Sequence, residues 1–202
     1  MTRSSPPAHA ERHALDPDKS RSAIVTGASR GIGAEVARCL ARDGFAVAAN
    51  YASSAEEAEA VVRAIGTEGG KAIAYGADIG DPAAVARMFD EAENAFGIST
   101  VVLNNAGIVH LSPITDAEDA TFDRVVATNL KGVLNGMREA TRRCQSGREA
   151  MTRVLAKELG PRRIGVDAIS PEPVATELFL TGKSEELHES ITRSIAFGRL
   201  GE

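Results

Sequence analysis

The β-prone segment Ser22–Thr26 (SAIVT) runs into the turn Thr26-Gly27-Ala28-Ser29-Arg30-Gly31-Ile32-Gly33, and a helix-period stretch from about Ile32 to Asp43 follows. A strand that turns on glycines straight into an amphipathic helix commits the chain to a βα unit. Glycine at such a turn serves either tight reversal or close approach of the backbone to a ligand. A pyrophosphate suits the second use, because free amides and the helix dipole both favour an anion at a helix N-terminus.

The unit then repeats. Gly44 stops the first helix, and Phe45–Asn50 (FAVAAN) reads as a second strand. Ser54 and Glu57 form a capping box for a helix with Ala58, Val61, Val62 and Ile65 on one face. Lys71–Gly76 is a third strand, and Asp81-Pro82 opens a helix striped by Val85, Met88, Phe89, Ala92 and Phe96. Thr100–Leu103 is a fourth strand, followed by a long helix from about Thr121 to Arg143. A helix over Arg148–Leu159 and a strand over Ile164–Ile169 complete the reading. This alternation predicts an α/β fold, a doubly wound parallel sheet of Rossmann type. At 202 residues the chain suits one domain, over 22–202. Residues 1–21, polar and carrying Pro6, Pro7 and Pro17, read as a disordered N-terminal tail.

Charge and composition narrow the partners. A formal net charge of -5 argues against nucleic acid, and no apolar run approaches the ~20 residues of a membrane helix. Cys39 and Cys144 have no CxxC or Cys/His partner at ligand spacing, so they read as reduced thiols without a metal, in a cytoplasmic protein. A dinucleotide is the expected cofactor. NAD sites commonly end the second strand with a carboxylate, whereas here the chain reads Asn50-Tyr51-Ala52-Ser53-Ser54. Arg30 in the glycine turn either faces a 2′-phosphate or is a solvated surface charge. NADP(H) is the better expectation.

TGASRGIG at Thr26–Gly33, Asp78-Ile79, NNAG at Asn104–Gly107 and TNLKG at Thr128–Gly132 occur in that order. Together they resemble the short-chain dehydrogenase/reductase family, in particular the 3-oxoacyl-carrier-protein reductase-like ketoreductases. SPEPVATELF at Ser170–Phe179 is similar to that family's cofactor-closing segment, and the likeness spans about Arg21 to Glu202. The resemblance implies hydride transfer between NADP(H) and a small carbonyl or alcohol substrate. It implies that Gly27, Ser29, Arg30, Gly31, Ile32 and Gly33 cradle the phosphates, with Asn50, Ser53 and Ser54 near the 2′-phosphate. Asp78 and Ile79 would flank the adenine, and Asn105, Ala106 and Gly107 would line the ribose side. Asn129 would be the catalytic Asn that holds a proton-relay water. By its own position, on one helical face with Phe122, Val126, Val133 and Met137, Asn129 could equally bond a neighbouring backbone.

One expectation of the family is unmet. Its members use a Tyr with a Lys four residues later, supported by a Ser, because a phenol near pKa ~10 needs a neighbouring ammonium to act at neutral pH. The only tyrosines are Tyr51 and Tyr75, with Ala55 and Ile79 four residues on. Between the long helix and EAMTRVLAKELG stands only a polar joint, Thr141–Arg148, with no room for the family's Ser strand. Lys157 lies too far along its helix to replace the lost Lys, Glu172 replaces the usual Gly, and Asp167 stands where Asn is common. Relative to the family the chain also stops before a last helix and strand. A reductase by descent with impaired or no activity is therefore expected, in effect a pseudoenzyme. The alternatives are a non-catalytic NADP(H)-binding module or partner of intact paralogues, a truncated and poorly folding product, or an enzyme with a substitute acid among His110, Asp116, Glu118, Asp119 and Glu172. Homo-oligomerisation stays open, since the family assembles through the long helix and the one shortened here.

Overall fold

In a computed structural model, residues 21–97, 99–143, 176 and 185–194 are described. Strand β1 (Arg21–Val25), helix α1 (Gly31–Arg42), β2 (Phe45–Tyr51), α2 (Ala55–Thr67), β3 (Lys71–Gly76), α3 (Pro82–Phe96) and β4 (Val101–Leu103) follow in strict alternation. A helical rod then runs from Asp119 to Arg143: α4 (Asp119–Val126), a π-helical stretch (Ala127–Gly132) and α5 (Val133–Arg143). A separate helix, α6, spans Glu185–Ser194. The predicted helix at 148–159, the strand at 164–169 and the tail, apart from Arg21 which opens β1, lie outside the described residues, as do Cys144, Lys157, Asp167 and Glu172.

The sheet is parallel in the order β3-β2-β1-β4. Both faces are covered, and the alternation of side chains along each strand sorts the core into two halves. Ile24 and Ala48 face Val85, Met88, Phe89 and Ala92 of α3 and Ala140 of α5. Their chain neighbours Val25, Val47 and Ala49 face Ala34, Ala37 and Ala41 of α1 and Val61 and Ile65 of α2. Each of the larger fully buried side chains contributes about 1.5–3 kcal/mol of transfer free energy. The many alanines let helices α1 and α2 sit close to the sheet.

Two sequence expectations are corrected and a third is met. The capping box of α2 does not form, since Ser54, at φ -92° and ψ 69°, makes no side-chain cap bond. At α3 the expected cap is made, with Asp81 accepting from the Ala83 amide at 2.9 Å ahead of Pro82. The second correction concerns the long helix. It presents Gly132, Asn135, Gly136, Glu139 and Ala140 to the protein, not the stripe through Phe122, Val126 and Met137. Phe122 is 65% exposed and Leu130 67%. Close approach decides this: a Cβ on Gly132 would overlap Ile79, and one on Gly136 would overlap the Asn104 side chain. Most polar groups on the buried face find partners, although Asn135 Oδ1 is buried without one. Asn135 Nδ2 donates to Ile79 O at 2.9 Å, and Glu139 bonds Arg142 (2.6 Å) and Arg143 (3.2 Å).

Arg143 fastens the end of α5 to α3. Its guanidinium reaches Asp90 at 2.6 Å, Glu93 at 3.3 Å and the Ala86 carbonyl at 3.1 Å. Partial burial works against its charge, but the bonds to Asp90 and Glu139 outweigh that and raise its pKa.

Candidate functional site

Strand order reverses between β1 and β4, since the chain goes outward from β1 through β2 to β3 and then returns to β1's other side. In open parallel sheets this switch leaves a crevice at the carboxyl ends of the two central strands. The loops leaving β1 and β4 meet there, and Thr26 is the node. Buried to 1% exposure, it donates its amide to Leu103 O at 3.0 Å. Its Oγ1 accepts from the amides of Asn105 (2.9 Å) and Ala106 (3.0 Å). Asn105 Nδ2 returns to the carbonyls of Thr26 (2.9 Å) and Gly27 (3.2 Å). The braces tie segments 77–80 residues apart in the chain.

Two glycines are required at this joint. Gly27 has φ +65°, and a Cβ there would stand 2.8 Å from Ala106 Cα. A Cβ on Gly33 would overlap both Gly27 O and Asn105 Nδ2. Side chains are thus excluded where the first turn of α1 meets the strand-end loops. That turn holds no carboxylate, and no side chain caps it. The leading amides of a helix have no partner inside the helix, so those of Gly31, Ile32 and Gly33 form an anion-seeking end at the mouth of the crevice. Ser29 is half-buried, and Arg30, Gly31 and Ile32 are exposed along the rim. Thr176 comes over this rim, with its Cγ2 3.7 Å from where a Cβ on Gly31 would lie. Sequence reasoning placed its segment at the cofactor but did not single it out.

Other predicted site residues divide between surface and scaffold. Ser53 and Asp78 are exposed and Ser54 is half-buried, around the ends of β2 and β3. Asp78 Oδ1 accepts from the Gly80 amide at 2.8 Å, shaping the turn before α3. Ile79 is 5% exposed and its side chain is turned to Gly132, so it belongs to the core under the crevice. Asn50 is likewise inside, at 2% exposure, with its carboxamide bonded to backbone. Asn105 and Ala106 are half-buried and Gly107 is exposed, along the opposite lip. Asn129, in the π-helical stretch, forms a reciprocal pair with Ile108. Its Oδ1 accepts from the Ile108 amide and its Nδ2 donates to the Ile108 carbonyl, both at 2.9 Å. This is the backbone bonding that sequence left open beside a catalytic role.

A family model described as short chain dehydrogenase matches residues 21–150, and one described as Enoyl-(Acyl carrier protein) reductase matches residues 144–202. The chain belongs to the short-chain dehydrogenase family. Among its relatives is an NADPH-dependent aldehyde reductase 2, chloroplastic, of Arabidopsis thaliana, 37% identical over 90% of this chain and 82% of that protein. A solved short-chain dehydrogenase/reductase from Serratia marcescens BCRC 10948 superposes with a TM-score of 0.82 at 33% identity, covering 92% of this chain and 86% of that one. A short chain dehydrogenase from Burkholderia cenocepacia J2315, solved in complex with NADP, gives 0.78 at 32% identity, covering 91% and 85%. The chain is thus a family member with the α/β parallel sheet of its relatives, and by that kinship an NAD(P)-dependent oxidoreductase.

Proposed function

We propose that this short-chain dehydrogenase binds NADP(H) in the β1–β4 crevice and does not turn over carbonyl substrates. The cofactor, when bound, supplies a hydride; the chain's residues supply its seat. The glycine cradle fits a dinucleotide, since Gly27 and Gly33 exclude side chains where the pyrophosphate would approach and the uncapped turn of α1 offers amides to it. Arg30 at the rim and the absence of a carboxylate between Asn50 and Ser54 favour the 2′-phosphate.

The placement of the tyrosines carries the second half of the proposal. Tyr51 ends β2 with its ring against Gly76, and Tyr75 sits in β3, packed against the α3 core. Both lie on the far side of β1 from β4 and Asn129, and neither has a lysine four residues on. No tyrosine is left to donate a proton beside a carbonyl held near Asn129. The match to the Arabidopsis reductase points the same way. It runs over 224 positions, more than the 202 residues of this chain, so part of the relative within the aligned span has no counterpart here.

Fluorescence titration with NADPH tests the first half, with no tryptophan to confuse the signal. Saturable enhancement at micromolar concentration is expected. Steady oxidation of NADPH by the same sample with aldehyde or ketone substrates would overturn the second half. No enhancement in a sample that melts cooperatively would overturn the first.

A further inference from the structure

Two successive amides of the glycine turn end on one residue. The Gly27 amide donates to Asn50 Oδ1 at 3.3 Å, and the Ala28 amide donates to Asn50 O at 2.7 Å. On its other side the Asn50 carboxamide donates through Nδ2 to the carbonyls of Ala77 (3.0 Å), Tyr51 (3.2 Å) and Tyr75 (3.3 Å). A side-chain amide carries two hydrogens, and here both are engaged by the three carbonyls while the oxygen takes the Gly27 amide, so no N–H is left for a phosphate. It has neither the exposure nor the capacity to meet a phosphate.

We infer that Asn50 is the positioning residue of the phosphate turn, holding Gly27 against the ends of β2 and β3 without touching the cofactor. The inference rests on the NADP(H) reading above and deepens it. It assigns the Gly27 and Ala28 amides to Asn50 and leaves the amides of Gly31, Ile32 and Gly33, at the start of α1, for the pyrophosphate. The left-handed Gly27 is then held from both sides, by Asn50 through its amide and by Asn105 through its carbonyl. A strand-end residue with no carboxamide would leave the Gly27 amide without its partner, and the turn would be tied to β2 only through the Ala28 amide on the backbone carbonyl. Arg30 rides on the same turn, but its long side chain tolerates a small shift of the backbone.

Hydrogen exchange on the wild-type chain tests this without any substitution. The Gly27 amide should exchange at least about a hundredfold more slowly than an unstructured amide, equally with and without NADPH. Fast exchange in the free protein with protection only on NADPH addition would overturn the inference, because that amide would then serve the cofactor. If wild-type protein fails to bind NADPH the functional reading fails, yet slow Gly27 exchange would still establish the clamp. Calorimetry on Asn50→Ala and Asn50→Ser, below their melting points, reads the role itself; the serine hydroxyl is one bond too short to reach Gly27. NADPH affinity should fall about tenfold, the worth of one hydrogen bond in the seat, while adenosine 2′-phosphate, which lacks the pyrophosphate, changes less than about twofold. Equal losses for both ligands would place Asn50 at the 2′-phosphate instead, and unchanged affinities would reduce it to a fold residue; either overturns the proposal.

Discussion

Replacing Gly27 with alanine separates two costs that the structure predicts to add. The backbone there sits at φ +65°, which costs an alanine about 1–2 kcal/mol. The new Cβ would also stand 2.8 Å from Ala106 Cα, a backbone atom fixed by the bonds of Thr26 and Asn105. Forcing those loops apart adds about 1–3 kcal/mol of overpacking. The control is Gly44→Ala, at φ +86° with nothing within 4 Å, which carries the dihedral cost alone. Denaturant unfolding should therefore rank Gly27→Ala clearly below Gly44→Ala. In a thermal melt the losses should be about 10 °C and about 5 °C respectively for a chain of this size. Equal losses would refute the close contact between the β1 and β4 loops on which the crevice depends.

Thr26→Val keeps shape but leaves the amides of Asn105 and Ala106 without an acceptor, so the urea midpoint should report a loss of about 2–4 kcal/mol, most of it spared in Thr26→Ser. Asn129→Leu strips both partners from the Ile108 backbone and should cost about 2–3 kcal/mol in the same assay. Arg143→Met should destabilise by about 1–3 kcal/mol, because Glu139 keeps Arg142 but loses its second cation. The raised pKa of Arg143 means its contribution is fully present below the ordinary arginine range and lost only as pH rises above it, so that difference should stay flat between about pH 5 and 9. Arg30→Ala should cut NADPH affinity about tenfold and leave NADH nearly unchanged, read by titration with each.

Residues whose role is set by local pattern were legible in sequence. The first four strands, the glycine turn, the Asp81-Pro82 start and the α3 stripe all follow from period and turn chemistry, and they came out within a residue or two. What sequence hid depends on partners far along the chain. Asn50 and Ile79 stand at positions that family likeness assigns to the ligand, yet the ends of neighbouring elements claim their side chains. The long helix misleads for a related reason. Apolar periodicity assumes that the buried face is the greasy one, whereas Gly132 and Gly136 bring this helix so close that only small or hydrogen-bonded groups fit beneath it. Its π-helical stretch has no signal in composition at all. Thr176 was hidden by the opposite problem, since nothing local marks one threonine in its segment as the one over Gly31.

The braces at Thr26 also dictate when the cradle can come into being. They join residues 77–80 apart in sequence, so the turn after β1, although Asn50 can hold it once β2 has paired, lacks its braces to the opposite lip until β4 has docked beside β1. Closing a loop of that length carries an entropic cost that earlier, local steps do not return. On the proposed reading the dinucleotide seat should therefore form late in folding, and NADPH should recognise the chain only after the sheet is nearly whole. Bound cofactor should accordingly slow the unfolding of this protein far more than it hastens its folding.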